Sequence, residues 1–167
     1  VASSDPHIDL SQLPASNLLT LHAQITEELR RREILRSSNN PVGDLAEFLF
    51  VNAFGWSQAP NSQKAIDAFD AKDRTFQIKG RRPTRHNKSR QLSFIRELDK
   101  KHFDCLAGVI FREDYSVFRA ALIPYDVVIA HSRYSSHANG WLFQLKDDIW
   151  DIPSVEDVTL RLLEVSY

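Results

Sequence analysis

Residues 62–82, SQKAIDAFDAKDRTFQIKGRR, decide how this chain is read. Two short strands are predicted, Ala65 to Phe69 and Arg74 to Lys79, joined by a polar turn. Successive side chains of a strand point to opposite faces. Phe76 and Ile78 therefore share one face, suited to a core, while Thr75, Gln77 and Lys79 share the other. With Lys72 at the centre of the turn, Asp67 falls opposite Gln77 on the polar face. An acid, an amide carbonyl and an ammonium then converge. Such a set suits a divalent cation, which prefers oxygen ligands, together with a phosphate. Six basic residues and no acidic one follow between Lys79 and Arg90. The stretch points to phosphodiester chemistry on nucleic acid, although a similar spacing also arises on solvated hairpin faces.

The chain has 167 residues, enough for one domain over 1–167 with a sizeable core and a loosely held arm over residues 1–15. No apolar run approaches the length of a membrane span. The opening VASSDPHIDL has no basic run followed by an apolar stretch, so no signal peptide is expected. The lone Cys105 cannot form an internal disulfide, which fits a reducing cytoplasm. Its apolar neighbours argue for a buried thiol rather than a nucleophile. The whole chain carries a formal −1 and residues 79–90 carry +6, so the remainder carries −7. A basic segment on an acidic body draws polyanions to one place. A solvated basic loop is the plainer alternative.

Working outward, Ser16 is expected to cap a helix from Asn17 to Arg36, with Leu18, Leu21, Ile25 and Leu29 on one face. Its second half, EELRRREILR, reads as a solvated face with local ion pairs. Asn40 followed by Pro41 starts a second helix, which runs to Phe54 and stops at Gly55. Val42, Leu45, Phe48 and Leu49 give it an apolar stripe. Glu47 sits amid that stripe, either facing solvent at its edge or aimed at a partner. Gly43, one turn earlier, would admit a close neighbour. Pro83 ends the second strand, and RRPTRHNKSR reads as a mobile surface loop. FDCLAGVIF, 103–111, fits a strand buried on both faces. Tyr115 to Ile123 form the next strand, with Val117 and Phe118 as core candidates. A helix from Pro124 to His131, a strand from Trp141 to Leu145 and a helix from Val155 to Val165 close the chain. These elements predict an α/β protein with a central mixed sheet flanked by helices.

Glu47 in mid-helix, Asp67, and Gln77-Ile78-Lys79 together resemble the PD-(D/E)XK phosphodiesterase superfamily, which has the restriction-endonuclease-like three-layer fold. Gln77 matches the QxK variant of its Mrr-like branch. NPVGDLAEFL, SQKAIDAFD and FQIKGRR look like a small bacterial group of such nucleases, and residues 40–122 carry the likeness. Ile66 stands where the family has proline, and Gln77 where it has a second acid.

The resemblance implies hydrolysis of DNA phosphodiester bonds by a metal-activated water, with Mg²⁺ as cofactor and Mn²⁺ as a substitute. Glu47, Asp67, Gln77 and Lys79 would be catalytic. Asp67, Gln77, Ile78 and Glu47 would hold the metal, and Lys79 would orient the attacking water. Arg81, Arg82, Arg85, Lys88 and Arg90 would hold the DNA backbone, and Gln91, Asn87 and His86 would reach base edges. Double-strand cleavage by one site per chain implies a homodimer. A restriction or defence role follows from the likeness alone. The alternatives are a non-catalytic DNA-binding or assembly subunit, a nuclease for branched or single-stranded nucleic acid, and a domain binding an acidic partner through its basic loop. His131 and His137 show no HExxH spacing, and a zinc site lacks cysteine partners.

Overall fold

Asn40 and Pro41 open a helix as expected. The Asn40 side chain accepts a hydrogen bond from the Val42 N–H at 3.1 Å, and the helix ends at Gly55 in the left-handed region, φ 64°. The computed structural model describes residues 9–37, 39–60 and 65–167. Residues 61–64, just before the strand expected from Ala65, and the first half of the N-terminal arm lie outside them. Contacts group the chain into two units, Val1–Asn39 and Asn40–Tyr167.

The first unit contains α1, Ala15–Arg31. Pro14, not Ser16, precedes it, and no side chain caps it. Glu27 pairs with Arg30 at 3.0 Å, and Glu28 with Arg31 at 2.7 Å and Arg32 at 2.8 Å, so the expected local ion pairs form.

The second unit carries every described strand. In chain order it comprises α2 (Pro41–Phe54), β1 (Ser57–Gln58), β2 (Ala68–Phe69), β3 (Thr75–Arg81), β4 (Cys105–Phe111), β5 (Val117–Pro124), α3 (Tyr125–Ala130), β6 (Arg133–Ser135), β7 (Gly140–Leu142), β8 (Glu156–Asp157) and α4 (Thr159–Leu163). A six-stranded sheet runs β1-β2-β3-β4-β5-β8, and β6 pairs with β7 separately. Only β3 and β4 are parallel, so the sheet is mixed. The α/β class and helix-flanked sheet expected from the sequence are those observed. None of the described helices is long and apolar enough to cross a membrane.

Register assigns the two faces. Ile78 pairs with Ala107 and Gly80 with Val109, on the face that α2 covers. A Cβ at Gly80 would lie 2.9 Å from the Val42 carbonyl oxygen and 3.1 Å from the Phe111 ring. Gly80, not Gly43, is where helix and strand come close, because nothing lies within 4 Å of a Cβ built at Gly43. Phe76 on this face is fully buried and stacks on Trp56 with ring centroids 3.8 Å apart. A ring buried so contributes about 1.5–3 kcal/mol. Arg161 of α4 covers the Phe54 ring and donates to the Ala53 carbonyl at 2.9 Å, fastening α4 beside α2.

The other face carries Gln77, Lys79 and Arg81, beside Leu106 and Ile110 of β4. Leu92, Ile95, Leu98, Val128, Phe143 and Leu145 cover it. This layer contains α3, the segment between β3 and β4, and the β6–β7 hairpin. That hairpin and a 3-10 turn at Asp147–Asp151 were not expected, and α4 is shorter than the helix predicted over 155–165. Phe118 is exposed rather than in the core.

Candidate active site

β3 is two residues longer at its end than expected, and β2 is cut to Ala68–Phe69. The expected register nevertheless holds for the paired residues. Ala68 faces Phe76 and Phe69 faces Thr75, as expected for a turn centred on Lys72, but the regular pairing does not extend to Asp67, which reaches Phe76 and Ile78 instead of lying opposite Gln77. Asp70 builds that turn by accepting from the Lys72 N–H at 2.9 Å and the Arg74 N–H at 3.0 Å.

At Asp67 the ladder changes character. Its N–H donates to the Phe76 carbonyl at 2.8 Å, while its carboxylate Oδ2 accepts from the Ile78 N–H at 2.6 Å. A side-chain oxygen thus replaces a strand carbonyl, and β2 ends before it could cover the site. Gln77 is buried, at 7 % exposure, and its Oε1 has no hydrogen-bond partner. Buried polar groups are almost always paired, and an orphan costs about 1–3 kcal/mol. Lys79 donates from Nζ to Ser93 Oγ at 3.0 Å. Burial pushes its amine below the ordinary lysine value, and the charges of Asp67 and then Glu47 pull it back up. Glu47 therefore reaches the same neighbourhood from α2, half-buried rather than on the solvent side.

Lys79 thus lies within electrostatic reach of Asp67 and Glu47, with Gln77 two residues away on the same strand. The oxygens present are hard donors, two carboxylates and an orphan amide carbonyl, and Ile78 can add only its backbone carbonyl. This set fits a Mg²⁺-like ion. Among the described residues no group of three or more His, Cys, Asp and Glu side chains is placed to hold a metal. Burial pushes the Cys105 thiol up to about 12, which leaves it protonated and unreactive.

A cleft of about 480 Å³ opens beside Lys79, walled by Arg81, Arg82, Thr84, Asn87 and Ser93 and by the first turn of α2. The basic segment around it is not a loose loop. Thr84 and Asn87 exchange backbone hydrogen bonds at 2.9 and 3.0 Å, closing a tight turn. Arg81 donates to the Ser89 carbonyl at 3.0 Å. Arg82 donates to the Glu113 carbonyl at 2.7 Å and lies over the Tyr115 ring, and the Glu113 carboxylate accepts from the Arg85 N–H. Arg85 and Lys88 are exposed. Arg90 pairs with Asp147 at 2.8 Å and covers Phe118. Gln91 forms a bridge with Gln144. Arg85 donates to the His86 ring at 3.0 Å, whereas Arg90 is engaged by an acid.

Ser93 and Glu113 contact candidate-site residues and were missed by sequence reasoning. Ser93 lies 14 residues beyond the lysine it holds, and Glu113 lies 28 beyond the turn it braces. Neither separation leaves a local pattern. The chain matches no protein-family model and no curated protein.

Proposed function

We propose that this chain is a Mg²⁺-dependent endonuclease that hydrolyses DNA phosphodiester bonds. The observation that carries the reading is the buried, unpartnered Gln77 Oε1, two residues along β3 from Lys79, an amine that feels the charges of Asp67 and Glu47. A carbonyl oxygen left so is accounted for by a cation it would help to hold. Asp67, Glu47 and Gln77 Oε1 would hold that ion, with the Ile78 carbonyl as a further donor. A bound Mg²⁺ supplies Lewis acidity toward a phosphate oxygen and a lowered pKa for water.

The protein's own groups do the rest. Lys79 has three N–H donors and gives one to Ser93. The others are free to orient the attacking water and to meet charge developing on the phosphate. Arg81, Arg82 and the α2 N-terminus make the adjoining cleft positive, which positions the backbone without reading bases. A duplex cut on both strands takes two copies related by a twofold axis. A restriction or defence role accords with the resemblance to the PD-(D/E)XK superfamily.

Gln77 in place of an acid favours a second reading, a DNA-binding subunit without catalysis, because the ligand set has one fewer negative charge. Plasmid cleavage with Mg²⁺ or Mn²⁺ separates the two. Wild type is expected to cut, Lys79→Ala to cut about 10²–10³-fold more slowly, and Asp67→Ala not to cut. Wild-type protein that binds plasmid yet never cuts it supports the second reading.

A further inference from the structure

A second cleft, of about 700 Å³, lies between the 96–100 segment and the β6–β7 hairpin. It has no part in holding the metal or the phosphate. We infer that the cleft formed by Arg96, Tyr134 and Trp141 binds an unpaired nucleobase of the DNA whose backbone lies at Lys79. The inference rests on the nuclease reading and narrows its substrate to DNA with an unstacked base.

The walls are held in place. Tyr134 faces Trp141 across the hairpin, and their rings meet edge to face at 5.5 Å and 63°. That geometry leaves a flat face of Tyr134 open, and the residue is 51 % exposed. Its hydroxyl donates to Asn139 Oδ1 at 2.9 Å, which pins the ring. The Arg96 guanidinium donates to the carbonyls of Ala138 and Asn139, so it too is fixed at the wall. Aromatic rings and guanidinium planes are the surfaces on which unpaired bases stack, whatever their sequence.

Glu97 and Asp99 line the cleft together with Arg96 and Lys100, and Lys100 donates to the Glu97 carboxylate, so the lining carries no net charge that would draw a phosphate in. Asp99 offers a carboxylate to the exocyclic amino group of a base. The volume lies within the range that encloses small ligands.

Position links the cleft to the chemistry. Ile95 and Trp141 exchange backbone hydrogen bonds at 3.0 and 2.8 Å, which anchors the hairpin to the segment carrying Ser93. Ser93 holds Lys79, and three residues of chain from Ser93 to Arg96 span at most roughly 10 Å. A nucleotide a short step from the one at Lys79 therefore reaches the cleft. In an intact duplex its base is stacked and cannot enter.

The test uses Asp67→Ala protein, so that DNA binds without being cut. Fluorescence polarisation compares a labelled duplex carrying one unpaired nucleotide with the same duplex carrying an abasic residue there. The base-containing duplex is expected to bind about 5- to 100-fold more tightly. Adding Tyr134→Ala should remove that preference and leave the abasic affinity unchanged, while Tyr134→Phe, which keeps the ring, should retain it. Equal affinity for the two duplexes, or a preference that survives Tyr134→Ala, overturns the base site alone. Absence of binding to either duplex overturns the base site together with the nuclease reading.

Discussion

The two halves of the central sheet follow different rules. On one side, β4 and β5 pair from Cys105 with Pro124 to Phe111 with Val117, with one irregularity at Ile110/Phe111. From Leu106 to Phe111 β4 is buried on both faces, and its neighbours are apolar. On the other side, β2 contributes two residues, a carboxylate stands in for a ladder carbonyl, and a buried amide oxygen has no partner. Apart from that irregularity, the first half is a regular, apolar ladder. The second breaks several rules of a stable sheet within a few residues of each other, and local violations of this kind cluster where a protein binds or reacts. The well-formed half provides the rigid wall against which the irregular half is held.

Substitutions in the two halves should therefore fail in opposite ways. The largest effect is expected from Phe111→Ala, which empties a buried ring site between β4 and α2. It should cost about 3–5 kcal/mol of stability, read as a lower denaturant midpoint, and activity should fall only as folded protein is lost. Gln77→Leu should do the reverse. Removing the orphaned oxygen should raise stability by about 1 kcal/mol or more, while the thermal shift on adding Mg²⁺ disappears. A Gln77→Leu protein that melts lower than wild type and still responds to Mg²⁺ would erase the contrast between the halves.

The smallest expected effect is a displacement along the pH axis. Burial holds the Lys79 amine below the ordinary 10.5 despite Asp67 and Glu47. As pH rises, the ammonium needed to meet the phosphate is lost earlier than at an exposed lysine. The alkaline limb of cleavage should thus fall below 10.5 in wild type, and the residual activity of Lys79→Arg should show no such limb. Stability moves the other way. Between the lowered value and 10.5 the unfolded chain holds the proton and the folded chain does not, so Lys79 favours folding increasingly with pH. A pH titration of activity and of melting temperature on the same samples reads both signs.

The sequence by itself determined what depends on near neighbours. Asn40, Pro41 and Gly55 set both ends of α2, because capping and a left-handed terminus are chemistry within one turn of helix. The polar turn around Lys72 set the register that pairs Ala68 with Phe76 and Phe69 with Thr75, because a tight turn leaves only one pairing. The unbroken apolar run of β4 announced a strand covered on both faces. Only the tertiary structure decided how these pieces meet. It cut β2 to two residues, and it made Gly80 rather than Gly43 the point of close approach. It tied Arg82 and the Arg85 backbone to Glu113, and Arg90 to Asp147, at separations of 28 to 57 residues. It also raised the hairpin that places Tyr134 against Trp141 and joined it to Ile95, two residues from Ser93. Such partners are chosen by the packing of whole layers, and no periodicity or local motif in either member of a pair records them.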